Sequence, residues 1–316
     1  MSEKECGQVP KGKKLTHHWH NNWGLVTESC GTESCSLARI LCILKRDGGN
    51  SRRHSYTRPS MRIGFLSDIH EDITSLDLAL GLLSDQHCDT IVCLGDIVGF
   101  TLPFYQYIQS RSAETCIARI RVHCSLAVAG NHDLYAVRRV PEFKAGFEYG
   151  PDWYGLDYDV RASRARNRVW LYEDNEIPST LSTTAADYLR GLRETERIAL
   201  GGTSCLLSHF CYPDLSGSAM YFPSQAFHLR KHFEFMRRHG CRIGVSGHGH
   251  PEGCLIVDED RFVLHPFGTI TLTDEPQWIV APSVARTSRA NGCMVLDTKQ
   301  RQVQVLPLRN ARSAQQ

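Results

Sequence analysis

Five short segments of the sequence carry side chains of the types that can bind metal ions, and each segment follows a short apolar run. The first is Asp68-Ile69-His70, which comes after the run 63–66. The candidate ligands in all five segments are Asp68, His70, Asp96, Asn131, His209, His248 and His250. Because sites in α/β sheets form where loops leave the carboxyl ends of strands, we expect these side chains to converge in the fold.

The types of these residues indicate which metals the site would take. Asp, His and Asn form a mixed oxygen and nitrogen set without thiolates, which suits Mn, Fe, Zn or Co better than a structural zinc site. Seven ligands exceed the needs of one ion, and they suit two ions about 3.5–4 Å apart that share a carboxylate. We therefore expect two divalent or trivalent ions, with Mn favoured and Fe, Zn, Co or Ni as alternatives.

Two such ions predict hydrolytic chemistry on phosphate esters. A metal pair lowers the pKa of a bridging water towards about 7, which yields a hydroxide that attacks phosphorus, and it neutralises the phosphate oxygens. An imidazole can then protonate the leaving alkoxide, and His132, beside Asn131, is the candidate general acid. Asp133 is a second catalytic candidate. It either orients a neighbouring imidazole or caps a local turn, and the sequence does not choose between these roles.

The elements that must position these residues are visible past the first 60 residues. Apolar runs at 63–66, 91–94 and 126–129 predict strands. Apolar spacing predicts helices over 73–86 and 104–120. This βαβαβ order indicates an α/β fold whose first sheet is substantially parallel.

The alternation of strand and helix patterns is interrupted at about 134–200, and strand patterns resume afterwards. The interruption predicts a helical insertion, in which the aromatic residues of 147–158 either line a substrate pocket or form a small core; the core is favoured. Beyond it, strands at 204–207 and 242–245, and six short strands from 255 to 306, predict a second sheet. The prediction for 61–310 is a two-sheet β-sandwich flanked by helices.

The ordered set of motifs resembles the calcineurin-like metallophosphoesterase superfamily. Asp-x-His, Gly-Asp, Gly-Asn-His-Asp, His and Gly-His-x-His occur in that order between Asp68 and His250. The resemblance implies a four-layer α/β/β/α sandwich, with His132 as the catalytic acid that also touches the phosphate. It implies one metal site of Asp68, His70 and His250, a second of Asn131, His209 and His248, and Asp96 as the bridge between them.

Departures from the family pattern narrow the expectation. The protein phosphatases of this superfamily place Asp-Arg-Gly shortly after the bridging aspartate, whereas this chain has Ile97-Val98-Gly99 after Asp96. The sequence looks more like the smaller, mainly prokaryotic phosphodiesterase and phosphatase branch. That branch often has Gly-Asn where this chain has Glu71-Asp72, and Asn-Pro-Gly-Ser near the end, where this chain has 281–283. Both changes lie outside the ligands and affect the shape of the substrate site.

Two classes of function remain open on this pattern. The first is a hydrolase of a phosphodiester or phosphomonoester, with a small-molecule or nucleotide substrate. The second is a non-catalytic interaction scaffold, because a subunit of the retromer sorting coat resembles these enzymes and serves as a binding surface. That scaffold lacks the histidine of the Asn-His motif, and this chain has it as His132, so the enzyme is favoured.

Charge argues against a nucleic-acid partner. Residues 1–60 contain ten Lys and Arg against five Asp and Glu, a charge of +5, while the remainder contains 26 against 29, a charge of −3. The metal-binding body is therefore mildly acidic, and a basic surface for nucleic acid is not expected. Residues 1–60 lack a sustained apolar period, so we expect them to be disordered, with Met61 as an alternative translation start.

Cysteine usage and hydropathy indicate a compartment. The chain has thirteen cysteines, and Cys93, Cys124 and Cys205 lie in apolar runs, as buried thiols of a reducing compartment do. No apolar run approaches the roughly 20 residues of a membrane-spanning helix. We therefore expect a cytoplasmic protein without a membrane partner.

Overall fold

A computed structural model describes residues 61–200 and 204–308. The predictions for residues 1–60, including their disorder, lie outside the described residues. The α-helices are α1 (Ile73–Asp85), α2 (Ala113–His123), α3 (Asn131–Ala136), α4 (Tyr158–Ala165), α5 (Thr183–Gly191) and α6 (Arg230–Arg238). Short 3-10 helices span Trp153–Gly155 and Ala226–Leu229.

The strands form two large sheets and one small one. They are β1 (Arg62–Leu66), β2 (Thr90–Cys93), β3 (Phe100–Thr101), β4 (Leu126–Ala127), β5 (Glu176–Ile177), β6 (Thr195–Ala199), β7 (Ser204–Ser208), β8 (Cys241–Ser246), β9 (Cys254–Val257), β10 (Phe262–His265), β11 (Gly268–Thr271), β12 (Gln277–Val280), β13 (Gly292–Asp297) and β14 (Gln302–Pro307). The first sheet has the order β11-β14-β13-β1-β2-β4, and the second has the order β10-β9-β12-β8-β7-β6. The small sheet pairs β3 with β5.

Parallel pairing is confined to three neighbouring strands of each large sheet. In the first sheet β1 pairs parallel with β2, and β2 with β4; in the second, β8 pairs parallel with β7 and β12. The other ladders are antiparallel. The first sheet is therefore mixed, and the expectation of a substantially parallel sheet holds only for β1, β2 and β4.

Alternating side chains build the four layers. Along β1, Ile63 and Phe65 pack between the sheets with residues of the second sheet such as Leu207, whereas Leu66 faces the core under α1 and α2. Helix α6 covers the outer face of the second sheet. There Phe233 packs in one core with Trp278 and Val280 of β12. This α/β/β/α sandwich is the predicted fold, and it follows from the two-residue period of each strand.

Two predicted elements differ from the structure. The helix predicted over 104–120 begins only at Ala113, after Ser112 caps its first turn by accepting a hydrogen bond from the Thr115 N–H at 3.3 Å. The apolar side chains before it do not form a helix face, because Tyr105 and Tyr107 are buried beside Phe100. These apolar side chains are buried, as their spacing indicates, but they pack against the small β3–β5 sheet and not on a helix face.

The region 134–200 is not helical throughout. It contains α4 and α5, but it also contains β5, and its last strand, β6, completes the second sheet. The aromatic core expected within it is present, since Phe147, Tyr149 and Trp153 pack together.

The described part of the chain contains nine free cysteines, and Cys93 and Cys205 are buried as predicted. Cys124 is only partly buried. Within the same residues, no helix is both long and apolar enough to cross a bilayer.

One buried histidine outside the metal-binding segments gives the fold a dependence on pH. His232 in α6 is fully buried, its Nδ1 accepts the Tyr212 N–H at 3.0 Å, and burial lowers its pKa from 6.5 to about 3. The unfolded chain therefore binds this proton first as the pH falls below 6.5, and stability is lost between there and pH 3.

We expect His232→Asn, which retains an acceptor for the Tyr212 amide, to flatten this dependence. Between pH 6 and 4, the free energy of unfolding should change less steeply with pH than in the parent, by up to about 1.4 kcal/mol per pH unit. Urea titrations at several pH values measure the slope, and His239→Asn, at the exposed end of α6, is the control. An unchanged slope in His232→Asn would show that this imidazole is not held neutral.

Candidate metal centre

Loops at the carboxyl ends of parallel strands from both sheets bring the predicted ligands to one place. Asp68 and His70 follow β1, Asp96 follows β2, and Asn131 begins α3 after β4. From the second sheet, His209 follows β7, and His248 and His250 follow β8. The sandwich therefore places three ligand-bearing loops of one sheet against two of the other.

The backbone at these positions is unusual. Asp68, His70, Asp96, His248 and His250 all adopt left-handed conformations, with φ between 44° and 63°. Non-glycine residues rarely take positive φ, and they do so where the surroundings fix them. The fold thus holds five ligand backbones in costly conformations that aim their side chains at the common centre.

Hydrogen bonds between the loops hold this arrangement. The carbonyl oxygen of Asp96 accepts the N–H groups of Ile69 at 2.8 Å and His70 at 3.0 Å. On the other side, the carboxylate of Asp133 accepts four backbone N–H groups. They belong to Asp96 at 2.8 Å, Ile97 at 2.9 Å, Val98 at 3.2 Å and Gly130 at 3.0 Å. Asp133 therefore ties the Asp96 loop to the start of α3.

Two glycines are required by close approach to the ligand carboxylates. A Cβ atom at Gly130 would lie 2.1 Å from Asp96 Oδ1, and one at Gly247 would lie 2.6 Å from Asp68 Oδ2. Both distances are far below van der Waals contact. The loops can pass this close to Asp96 and Asp68 only because these residues have no side chain.

The side chains form two groups of possible metal ligands around Asp68 and Asp96. Asp68, His70 and His250 offer atoms within 4.8 Å of one another, as do Asp96, His209 and His248. Asp96 also joins a third such group, with His70 and His132. Its Oδ2 lies 3.0 Å from His209 Nε2 and 3.8 Å from His70 Nε2, so it stands between the two groups.

Buried ligand atoms without a partner show that the centre suits cations. His70 Nε2, His209 Nε2, His248 Nε2 and Asn131 Oδ1 are buried and make no hydrogen bond. His209 Nε2 lies 3.0 Å from Asp96 Oδ2 in an ion-pair contact. Buried polar atoms are normally satisfied, so four unsatisfied ligand atoms at one centre are the signature expected of a metal site.

Backbone carbonyls fix which ring nitrogen faces the centre. His70 Nδ1 lies 2.9 Å from the Gly99 carbonyl oxygen, and His209 Nδ1 lies 2.7 Å from that of Leu94. Each Nδ1–H therefore donates outwards, which leaves Nε2 as the ligand atom in the neutral ring. This outer contact is typical of metal-bound histidines.

Charge at the centre is arranged in the same sense. Burial opposes ionisation of Asp68 and Asp96, yet the histidines around them, His250 and His209 foremost, hold the pKa of each carboxyl below its usual range. Burial lowers the pKa of His70 and of His248 to about 3, so these rings are neutral. Two ionised carboxylates and neutral imidazoles in a buried place provide a binding site for positive charge.

Two residues that the sequence did not single out orient the Asn-His motif. The ring of His132 donates from Nδ1 to the buried carboxylate of Glu176 in β5. The side-chain amide of Asn131 donates to the hydroxyl of Tyr172 at 3.0 Å, which points Asn131 Oδ1 away from that contact. Both partners lie in the region 134–200, which therefore contributes directly to the centre.

The carboxylate of Glu176 also sets the charge of His132. Burial opposes protonation of this ring, but Glu176 and Asp96 raise its pKa to about 9. Since 16% of the side chain remains exposed, the imidazolium can reach a molecule bound at the centre.

The structure brings all seven predicted ligands and His132 together. Asp133 is different: its contacts are those of the turn-capping alternative, and its oxygens are occupied by backbone amides. Glu176 and Tyr172 carried no sequence signal, since they lie 44 and 41 residues from their partners in a segment without a motif.

Comparison with solved structures defines the class of fold. A metallophosphoesterase from Sphaerobacter thermophilus matches with a TM-score of 0.54 and 19% identity, over 81% of this chain and 91% of that one. A hypothetical protein from Pyrococcus horikoshii OT3 matches with a TM-score of 0.50 and 13% identity, over 80% of this chain and 90% of that one. The fold is thus that of a metallophosphoesterase.

The sequence itself identifies the family. A family model described as calcineurin-like phosphoesterase matches residues 61–252, which include every predicted ligand. The chain belongs to the calcineurin-like phosphoesterase family, as its motifs indicated. No significant match was found among curated protein sequences.

Metal binding at this centre should release protons. The carboxylates of Asp96 and Asp68 overcome the effect of burial and raise the pKa of His209 to about 10, so this ring carries a proton near neutral pH. A metal ion must displace it, because only the neutral imidazole is a ligand. We expect calorimetric titration of the metal-free protein with Mn²⁺ to show release of about one proton, from the dependence of the enthalpy on the buffer. Equal enthalpies in all buffers would contradict this assignment of charge.

Proposed function

We propose that this protein is a phosphoester hydrolase that uses two metal ions. One ion would be held by Asp68, His70 and His250, the other by Asn131, His209 and His248, with Asp96 shared between them. The observation that supports this most directly is the convergence of four buried, unpartnered ligand atoms on two ionised carboxylates. The mixed oxygen and nitrogen set favours Mn, with Fe, Zn, Co or Ni as alternatives.

When bound, two such ions neutralise phosphate oxygens and lower the pKa of water, which are the two demands of phosphoester hydrolysis. The protein's own residues provide the rest. His132 is protonated near neutral pH because its pKa is raised to about 9, and Glu176 occupies its Nδ1. The proton available for transfer is therefore at Nε2, and we assign it to the oxygen of the leaving alcohol.

Asp133 has a supporting role in this proposal. Its four hydrogen bonds hold the backbone of Asp96 and Gly130, so it keeps two ligand loops in register. We propose that Asp133 acts through this contact and does not touch the substrate.

The alternative function, a non-catalytic scaffold, does not explain the His132–Glu176 pair. A binding surface needs no imidazolium with a buried carboxylate behind it, and burying Glu176 to 7% exposure has a desolvation cost. The pair favours an enzyme whose substrate leaves as an alcohol of high pKa.

Removal of the metals should abolish activity. We expect the chelator-treated protein to lose hydrolysis of phosphodiester and phosphomonoester substrates, and Mn²⁺ to restore it. Asp96→Asn should lose both ions, with a fall in activity of more than about a hundredfold, because the shared ligand is lost. Elemental analysis counts the bound ions, and Asp187→Asn, on the exposed face of α5, is the matched control. Full activity without metal, or two tightly bound ions in Asp96→Asn, would refute the proposal.

The Glu176 carboxylate should control the general acid. In Glu176→Gln we expect the alkaline limb of the kcat profile to move to lower pH, because the neutral amide no longer raises the pKa of His132. Loss of general-acid catalysis should slow esters of poorly acidic alcohols by about a hundredfold, as in His132→Ala, and 4-nitrophenyl esters much less.

Glu173→Gln is the control for this experiment, since Glu173 lies in the same segment but pairs with Arg161 and Arg138. Equal slowing of good and poor leaving groups in Glu176→Gln, with an unmoved pH profile, would show that Glu176 has a structural role alone.

A further inference from the structure

An uncharged segment of the chain passes along the proposed general acid. Residues 99–110 contain no Asp, Glu, Lys or Arg. At the start of the segment, a Cβ at Gly99 would lie 2.5 Å from His132 Cβ, so this backbone lies directly against the His132 side chain. Two residues on, Thr101 pairs with Glu176 in the β3–β5 ladder, and the Leu102 N–H then donates to the Asn175 carbonyl oxygen at 2.8 Å.

After this contact the segment exposes large apolar side chains. Leu102 is 42% exposed and Phe104 is 40% exposed, although Phe100 before them and Tyr105 after them are buried. We call Leu102–Phe104 the apolar lip. The lip adjoins the centre, because the ring of Phe104 packs 5.8 Å from that of Tyr105, which stacks on His70 at 4.8 Å.

A second uncharged segment borders the group of possible ligands formed by Asp96, His209 and His248. Residues 215–227 also contain no Asp, Glu, Lys or Arg. The ring of Phe222 stacks on that of His248, with 5.0 Å between the ring centroids and an angle of 3° between the ring planes. Neither segment therefore provides an arginine or lysine that could pair with a second anionic group of the substrate, beside the phosphate that the proposed metals would hold.

We propose that the apolar lip binds the leaving group of the substrate, and that this group is an uncharged aromatic alcohol. The inference rests on the proposed function, in which His132 protonates the leaving oxygen. That oxygen must lie at His132. Glu176, which contacts His132, pairs with Thr101 in the β3–β5 ladder, and the lip begins at the next residue, Leu102. An apolar ring gains most from burial there, and the two segments themselves offer no charged side chain to a charged group.

The reaction balances as a hydrolysis. Water adds its oxygen to phosphorus and releases one proton to solvent, while the bond from phosphorus to the leaving oxygen breaks. The electron pair goes to the leaving oxygen, which takes the proton from His132. The products are the aromatic alcohol and a phosphate ester with one substituent fewer.

The test uses the full-length, Mn²⁺-loaded protein and three methyl phosphodiesters whose second ester is methyl, benzyl or 2-naphthylmethyl. All three alcohols are alkyl alcohols, so their leaving oxygens make similar demands on His132. We expect kcat/KM to rise along this series. Phe104→Ala and Leu102→Ala should each lower kcat/KM about tenfold for the two aromatic esters and less than about twofold for the methyl ester.

Two further variants sharpen the result. Val122→Ala removes an even more exposed apolar side chain, 78% exposed, from the last turn of α2, at the opposite ends of the strands from the centre, and should change nothing. Leu102→Lys should weaken the preference for the aromatic esters and favour an ester whose alcohol carries a carboxylate. Circular dichroism and thermal melting confirm that each variant is folded.

A binding measurement separates this inference from the proposed function. Calorimetry with benzylphosphonate and methylphosphonate reports the lip even in a protein that hydrolyses nothing. Tighter binding of the benzyl compound that is lost in Phe104→Ala supports the lip. Equal binding of the two compounds, or equal loss of all three esters in Phe104→Ala, overturns it, whereas absence of hydrolysis with intact benzyl preference overturns only the proposed function.

Discussion

Burial of two ionised carboxylates is the constraint on which the rest of this structure depends. Asp68 and Asp96 are at most 1% exposed, at the meeting point of the two sheets. A carboxylate in such a place is costly unless hydrogen bonds and positive charge compensate for its lost hydration. The backbone N–H of His248 and the side chain of His250 approach Asp68, while the backbone N–H of His132 and the side chain of His209 approach Asp96.

This compensation explains why the ligand loops are built as they are. Each contact brings backbone close to a carboxylate, which requires glycine at positions 130 and 247 and left-handed backbone at the ligands themselves. Protein groups alone leave four ligand atoms unsatisfied. The strain and the unsatisfied atoms therefore have one physical origin, a fold shaped to surround cations.

The ligand set was predictable because each ligand directly follows a strand. A strand end gives a reliable position in an α/β fold, and the short motifs occur within a few residues of it, so Asp68 and His248 could be predicted from local sequence alone. Even His209, which has no distinctive neighbours, was found by its place after β7. The layers were equally predictable, since the period-two pattern of β1 and its partners encodes which face meets the other sheet.

What local sequence could not give is the contribution of irregular chain. Glu176 and Tyr172 meet His132 and Asn131 only because β3 and β5, two residues each, fold 134–200 back onto the centre. Pairs this short have no periodicity to detect. The first part of the helix predicted over 104–120 is absent for the same reason, because Tyr105 and Tyr107 pack beside Phe100 and not on a helix face.

The ligand loops and the irregular segments beside them contribute differently to recognition at the centre. The ligand loops and their proposed ions account for charge, and they would treat any phosphate ester alike. The segments 99–110 and 215–227 are uncharged, so they can distinguish substrates only by the shape and polarity of the ester groups. On the proposal above, selectivity comes from apolar surfaces such as Leu102–Phe104, which lie outside the loops that carry Asp68 and Asp96.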